Sequence, residues 1–417
     1  MLDPNIQAVR AEPRLQPRSR GSGCNYSGMG GVSTVMETET KHPTASRRGP
    51  MITPILVVAS LWTLLHVYVG QRLLAPTSLA PGWRLLGWVG ILLLILAPFV
   101  ALFAGRTERL PANRGLEVAG FTAMGLSSLL IVFALAGDAL HVRAWLGVGT
   151  FQLAVVGSAV AVLVIGLWRA RRPAIVRVVD VPIRGLPSDL EGFRIAQLSD
   201  LHVGPTLKRD FVERVVDTTN GLQPDVIALT GDVADGFPPA LRDEVAPLAG
   251  LRAPHGKYFV TGNHEYYWDA AAWVRELEGL GFSALVNGHQ VIRRGAGRIV
   301  VAGVTDLSSG GLPGHTSDPA AAVAGAPESD VRVLLAHQPK SAFAARAAGY
   351  DLQLSGHTHG GQYFPFNLLV RLFQPFVAGL HRLEAMWLYV SRGTGYWGPP
   401  LRLGAPAEIT LIQLTRA

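Results

Sequence analysis

The chain has 417 residues, room for two or three domains, and is 49% hydrophobic but only 16% charged. Its mean hydropathy of +0.27 is high for a wholly soluble protein. One cysteine, Cys24, excludes an internal disulfide and agrees with a reducing compartment, while the net charge of +7 invites an anionic partner.

Residues 1–49 are rich in Gly, Ser, Pro, Thr and Arg without apolar periodicity, which predicts a disordered tail. The piece Gly28-Met-Gly-Gly31 matches no phosphate-loop pattern, and Met29, Met36 and Met51 are in frame as candidate starts beside Met1. No secretory signal with a cleavage site is expected. Four windows then carry no Asp, Glu, Lys or Arg: 50–71, 85–105, 118–137 and 144–168. Each is about as long as the ~20 residues a helix needs to cross a bilayer core. Buried helices of a soluble domain would keep one polar face. The prediction is an all-α transmembrane bundle of four helices over 50–170, with Trp62, Trp83, Trp88, Trp145 and Trp168 in or beside the spans. His66, the one group inside the first window whose ordinary pKa lies near neutrality, fits a hydrogen-bonded or interfacial histidine.

Lys41, Arg47, Arg48, Arg106, Arg109, Arg114, Arg169, Arg171, Arg172 and Arg177 flank the spans on one side, against Arg72, Arg84 and Arg143 on the other. Both termini are therefore expected in the cytoplasm, on a multi-pass protein of the cell membrane. Because so much positive charge flanks the spans, the expected anionic partner is the lipid bilayer rather than nucleic acid. No obligate protein partner is inferred.

From residue 174 onward short β-like runs end in polar loops and alternate with helical patterns. Expected strands cover 175–183, 194–198, 225–229, 257–260, 298–302, 331–336 and 352–354, with helices near 211–220 and 270–280. This alternation predicts an α/β sandwich over 174–417, whose site gathers outside the carboxyl ends of the strands. Nearly every strand runs directly into Asp, Asn or His. The endings are Asp200-Leu-His202, Gly231-Asp232-Val-Ala-Asp235, Gly262-Asn263-His264-Glu265, His337 and Gly356-His357-Thr-His359. Crowded carboxylates repel, and buried ones must be neutralised. Divalent cations do so, and mixed oxygen and imidazole donors suit Mn²⁺, Fe or Zn²⁺ better than Ca²⁺ or a thiolate site.

In this order the motifs resemble the calcineurin-like metallophosphoesterases, and within them the membrane-anchored bacterial branch; Ser391-Arg-Gly-Thr-Gly395 and Pro399-Pro400 fit that branch too. The resemblance covers about 174–417 and implies a four-layer α-β-β-α sandwich. It implies one divalent metal on Asp200, His202, Asp232 and His359, and a second on the bridging Asp232 with Asn263, His337 and His357. It also implies hydrolysis of a phosphoester. Two such ions would clamp the phosphoryl group and lower a bound water's pKa from ~15.7 toward neutrality, and the resulting hydroxide would attack phosphorus in line. His264 resembles the family's donor to the phosphoryl or leaving-group oxygen. Asp235 either orients His264 or a metal-holding side chain, or is a turn carboxylate.

Protein phosphatases of this superfamily place Arg-Gly after the second aspartate, whereas Gly236-Phe237 follows Asp235 here. A phosphodiester or pyrophosphate is therefore expected rather than a phosphoprotein, with a lipid-linked or amphiphilic substrate, such as a UDP-acylglucosamine-type pyrophosphate, in keeping with the spans. Two other readings stay open: a non-catalytic membrane receptor or scaffold, and an anchored nuclease or cyclic-nucleotide esterase. Residues 363–377 carry Phe364, Phe366, Leu368, Leu369, Leu372, Phe373 and Phe376, which either cap the sandwich core or dock beside the spans. His289 is a candidate rim residue, while His42, His141, His255, His315 and His381 lack motif context.

Overall fold

The computed structural model describes residues 52–75, 80–106, 113–309, 312 and 314–417. The expected disordered tail over 1–49, with Cys24, Lys41, His42, Arg47 and Arg48, and the later Arg109 lie outside the described residues.

The apolar windows form α1 (Ile52–Leu73), α2 (Pro81–Arg106), α3 (Asn113–Ala139) and α5 (Val148–Ala170), with the short α4 (Val142–Leu146) between the last two. The four long helices contain segments long and apolar enough to cross a membrane: Leu56–Leu73, Pro81–Ala104, Arg114–Ala139 and Val148–Ala170. α3 is the central one; it packs on both α2 and α5, and 44% of its span is buried against 17% for each of the others. Small residues permit this closeness. A Cβ at Gly120 would meet Ala97 on α2, and one at Gly137 would meet Phe151 on α5. Leu61, Leu93, Phe103 and Leu153 stay exposed on the outside of the bundle, where hydrocarbon is the natural solvent. One charge pair lies within the spans: Arg72 contacts Asp138 at 2.6 Å, and Tyr68 Oη donates to the same carboxylate at 2.7 Å. His66 Nδ1 donates to the Trp62 carbonyl at 2.8 Å.

Among the described residues twelve strands follow: β1 (Ile175–Ile183), β2 (Arg194–Leu198), β3 (Val226–Leu229), β4 (Lys257–Phe259), β5 (Ser283–Ala284), β6 (Gly288–Arg294), β7 (Gly297–Gly303), β8 (Val331–Leu335), β9 (Leu352–Ser355), β10 (Gly379–Leu383), β11 (Met386–Val390) and β12 (Glu408–Arg416). They make two six-stranded sheets, ordered β1-β12-β2-β3-β4-β5 and β10-β11-β9-β8-β7-β6. The strand period of two sorts each strand's side chains onto opposite faces. Ile195, Val226, Val333 and Leu354 enter the core between the sheets. Ala196, Leu198, Ile227 and Leu229 instead meet Val212, Val215, Val245 and Trp273 from the helices outside the first sheet. Helices Pro319–Val323 and Ala342–Ala347 cover the second sheet through Ala322, Ala342 and Ala345. The result is the expected α-β-β-α order, with β2, β3, β4, β8 and β9 ending at one rim.

Bundle and sandwich are joined, and Pro54–Ala417 packs as one unit. Leu401 fits between two helix glycines: a Cβ at Gly125 of α3 would stand 2.7 Å from its Cδ1, and one at Gly166 of α5 3.0 Å from its Cδ2. The next residue, Arg402, donates its backbone N–H to the Gly166 carbonyl at 3.2 Å, and Arg114 Nε donates to the Pro205 carbonyl at 2.8 Å. The apolar stretch 363–377 is divided. Tyr363 and Phe366 join the bundle cluster with Leu401, and Phe376 packs on the second sheet. Phe364, Leu368, Leu369, Leu372 and Phe373 remain exposed.

Candidate metal centre

The strand ends deliver the expected side chains to one place. Asp200, His202 and His359 form one group whose donor atoms lie within 4.8 Å of one another, and Asp232, His337 and His357 form another. Asp232 lies at the seam, its Oδ2 3.1 Å from His337 Nε2 and 3.8 Å from His202 Nε2. The two groups close on themselves as well: His202 and His359 approach at 3.1 Å through their Nε2 atoms, and His357 Nδ1 reaches His337 Nε2 at 3.2 Å.

The backbone is bent to achieve this. Asp200, His202, Asp232, His357 and His359 all have φ between 49° and 70°, the left-handed region that ordinary side chains avoid. Strain of this kind persists where surrounding contacts hold it, and it clusters at functional sites. Two glycines make room: a Cβ at Gly356 would collide with Ser199 and Asp200, and one at Gly262 with Asp232. The backbone N–H of His357 donates to Asp200 at 2.9 Å, and that of His264 to Asp232 Oδ1 at 2.9 Å. The Glu265 carboxylate accepts from the backbone N–H groups of Gly262, Val233 and Asp232 at 2.6, 2.8 and 3.0 Å. One carboxylate thus binds the β3 and β4 loops together.

The imidazoles are oriented from behind. His337 Nδ1 donates to the Thr230 carbonyl at 2.7 Å, turning Nε2 toward Asp232. Asp235 Oδ1 accepts from His202 Nδ1 at 3.1 Å and from His264 Nδ1 at 2.5 Å. Asp235 therefore does more than stabilise a turn. Burial disfavours its charge, but the two histidines outweigh that and hold its carboxyl well below the usual range. For His264, burial again opposes charge, while Asp232 and Asp235 raise it to about 9. Burial, His202 and Arg402 together keep His359 uncharged, and burial with the neighbouring His337 lowers His357 to about 4.

This donor set fits divalent cations. Buried carboxylates and imidazole nitrogens crowd together over short distances, donors that divalent cations bind together. Asn263 Oδ1 is buried with no hydrogen-bond partner, an unspent acceptor beside Asp232. His202, Asp232 and His264 form a third group of potential donors, but His264 Nε2 stands 4.0 Å from Asp232 Oδ2, and that imidazole faces a cavity beside the metal centre.

Three features escaped the sequence reading. Glu265 stands at the third position of a short helix that starts at Asn263, a capping position that flags its role. Arg402 is fully buried, and burial lowers it to about 10. It donates Nη1 to the carbonyls of Arg392, His359 and Ala405 at 2.8, 3.1 and 3.2 Å, and Nη2 lies 3.2 Å from His359 Nδ1. Trp397 meets His264 edge-on, with ring centroids 5.6 Å apart. No local pattern announces either residue. His289, expected at the rim, lies on the edge strand β6 with Nδ1 donating to the Ala322 carbonyl at 2.9 Å, and it lines neither the centre nor the cavity.

Residues 193–361, which hold all seven expected metal-holding side chains, match the calcineurin-like phosphoesterase family. An uncharacterized metallophosphoesterase of Campylobacter jejuni is 31% identical over 370 residues, covering 86% of this chain and 97% of that protein. The chain therefore belongs to the calcineurin-like metallophosphoesterase family. Proteins called "transmembrane protein with metallophosphoesterase domain" are 40% identical over 280 residues in Danio rerio and 42% identical over 266 residues in Bos taurus. Those matches cover 64% and 61% of this chain, and span 64% and 60% of the relatives' own lengths.

Proposed function

We propose that the protein is a membrane-anchored, metal-dependent phosphoric ester hydrolase with its sandwich on the cytoplasmic side. The observation that carries this reading is the convergence of seven donor side chains from five strand ends around Asp232, with Asn263 Oδ1 left unpartnered among them. Asp200, His202, Asp232 and His359 would hold one divalent ion; Asp232, Asn263, His337 and His357 the other. Such ions, when bound, supply Lewis-acid charge to a phosphoryl group and a nucleophile at neutral pH.

The chain's own groups do the rest. Asp235 fixes His202 and His264 through their Nδ1 atoms. With a pKa raised to about 9, His264 is protonated at neutrality, so its Nε2–H is a donor for the phosphoryl or leaving-group oxygen. The absence of Arg-Gly after Asp235 favours a phosphodiester or pyrophosphate over a phosphoprotein.

The test uses metal-free full-length protein, a chromogenic bis-aryl phosphodiester and added Mn²⁺. Hydrolysis should appear with metal and vanish in Asp232→Asn, with both metal equivalents lost, whereas His359→Ala should retain one. Full activity of Asp232→Asn would sink the reading in favour of a binding role.

A further inference from the structure

A cavity of about 150 Å³ joins the metal centre to the apolar helices. One end is formed by His202, Asp235 and His264; the other by Ala101 and Leu102 of α2, Phe121 of α3, and Trp397. Trp397 spans the two ends, its ring 5.6 Å from His264 and 6.4 Å from Phe121 by centroids. At its helix end the lining reaches exposed apolar surface. Leu102 is 47% exposed, and Phe99 and Phe103 border a further apolar groove on the same helix. Leu102 and Phe99, three apart on α2, are surface neighbours, so exposed apolar surface continues from the cavity lining to Phe99. Glu117 is the one charged group that α2 and α3 contribute to the cavity, and its carboxylate repels an anionic segment seated beside it.

We propose that the substrate is a phosphoester of an amphiphile. Its phosphoryl group faces His264, and an uncharged apolar chain runs past Trp397 and Phe121 to leave along α2. This rests on the hydrolase reading above and names the substrate class of that site. The enclosed volume is well under the roughly 300–1,000 Å³ that holds a whole drug-sized ligand. Only the atoms next to the phosphoryl group are enclosed, and the remainder of the chain continues over Leu102 and Phe99. The bilayer, which surrounds α2 in this reading, supplies such a molecule sideways without its chain crossing water. A nucleotide fits poorly, because a second phosphate or a sugar would face Leu102, Phe121 and Glu117.

The experiment uses the full chain loaded with Mn²⁺ in nanodiscs and two methyl alkyl phosphodiesters, one ethyl and one decyl, with products measured by mass spectrometry. Each methylene withdrawn from water favours binding by roughly fourfold, so the decyl ester should be preferred by at least ~10-fold in kcat/KM. Leu102→Gln and Phe121→Gln should each lower the decyl-to-ethyl ratio toward one, with the thermal midpoint measured to verify folding. In parallel, a decylphosphonate carrying a diazirine near its phosphonate should label α2 or α3 beside Leu102 or Phe121. Equal hydrolysis of both esters, an unchanged ratio in the variants, or labelling elsewhere would overturn the amphiphile proposal and leave the hydrolase reading standing. If neither ester is cleaved, the hydrolase reading fails, and the site of labelling alone decides whether the cavity takes the chain.

Discussion

His202 and His264 rest on the same oxygen: both place Nδ1 against Asp235 Oδ1, at 3.1 and 2.5 Å. A carboxylate only accepts, so both rings donate from Nδ1 and present Nε2 to the centre. One residue thereby sets the orientation of an imidazole assigned to metal holding and of another assigned to proton donation. Asp235→Asn is expected to lower activity roughly 10–100-fold and to weaken the ion that His202 helps to hold. Steady-state kinetics and metal titration check this. Wild-type values for both would return Asp235 to the status of a turn residue.

His264 is expected to serve chemistry rather than metal retention. His264→Ala should keep both metal equivalents by elemental analysis while kcat falls on the order of 10²–10⁴-fold, the usual loss for a missing general acid. Collapse of metal content together with rate would make His264 a ligand and refute the role given to it.

Arg402 is expected to matter through its fork of donors. Arg402→Lys keeps the charge but cannot serve three carbonyls and His359 at once, and each buried acceptor left unpaired costs about 1–3 kcal/mol. The thermal midpoint should fall by several degrees, and the metal held by His359 should dissociate faster in a chelator challenge. An unchanged midpoint with unchanged chelator kinetics would show the fork to be dispensable.

The membrane orientation has its own check. In a Cys24→Ser background, a cysteine introduced beside Arg143 should react with an impermeant thiol reagent on intact cells. One introduced beside Arg109 should be protected. The reverse pattern would place the sandwich outside the cytoplasm.

Much of this architecture was legible because membrane and metal both leave blunt marks on a sequence. The spans show as windows without charge, although α3 starts at Asn113, before the window at 118, since Arg114 and Glu117 belong to the helix without being apolar. The candidate metal-holding side chains show because each follows closely on an apolar strand. What stayed hidden depends on distant partners. β12 gives no sign that it will insert between β1 and β2, parallel to one and antiparallel to the other. β6 and β10 are edge strands with half-exposed, polar-rich sequences. Asp235 serves two histidines from different loops, and Arg402 reaches His359 across 43 residues of chain. Spacing along a sequence cannot encode such meetings.

The seat of Leu401 between Gly125 and Gly166 has a practical consequence. Trimming the protein to a soluble fragment beginning near Ile175 would strip the cover from Leu401, Tyr363 and Phe366 and cut the bond from Arg402 to Gly166. The peptide that carries the His359-supporting guanidinium would then lose its mooring, and the cavity would lose its α2 and α3 wall. Such a fragment would be sticky, with a loosened His359, and its substrate profile would describe a different active site. Screens for the natural substrate belong on the intact chain.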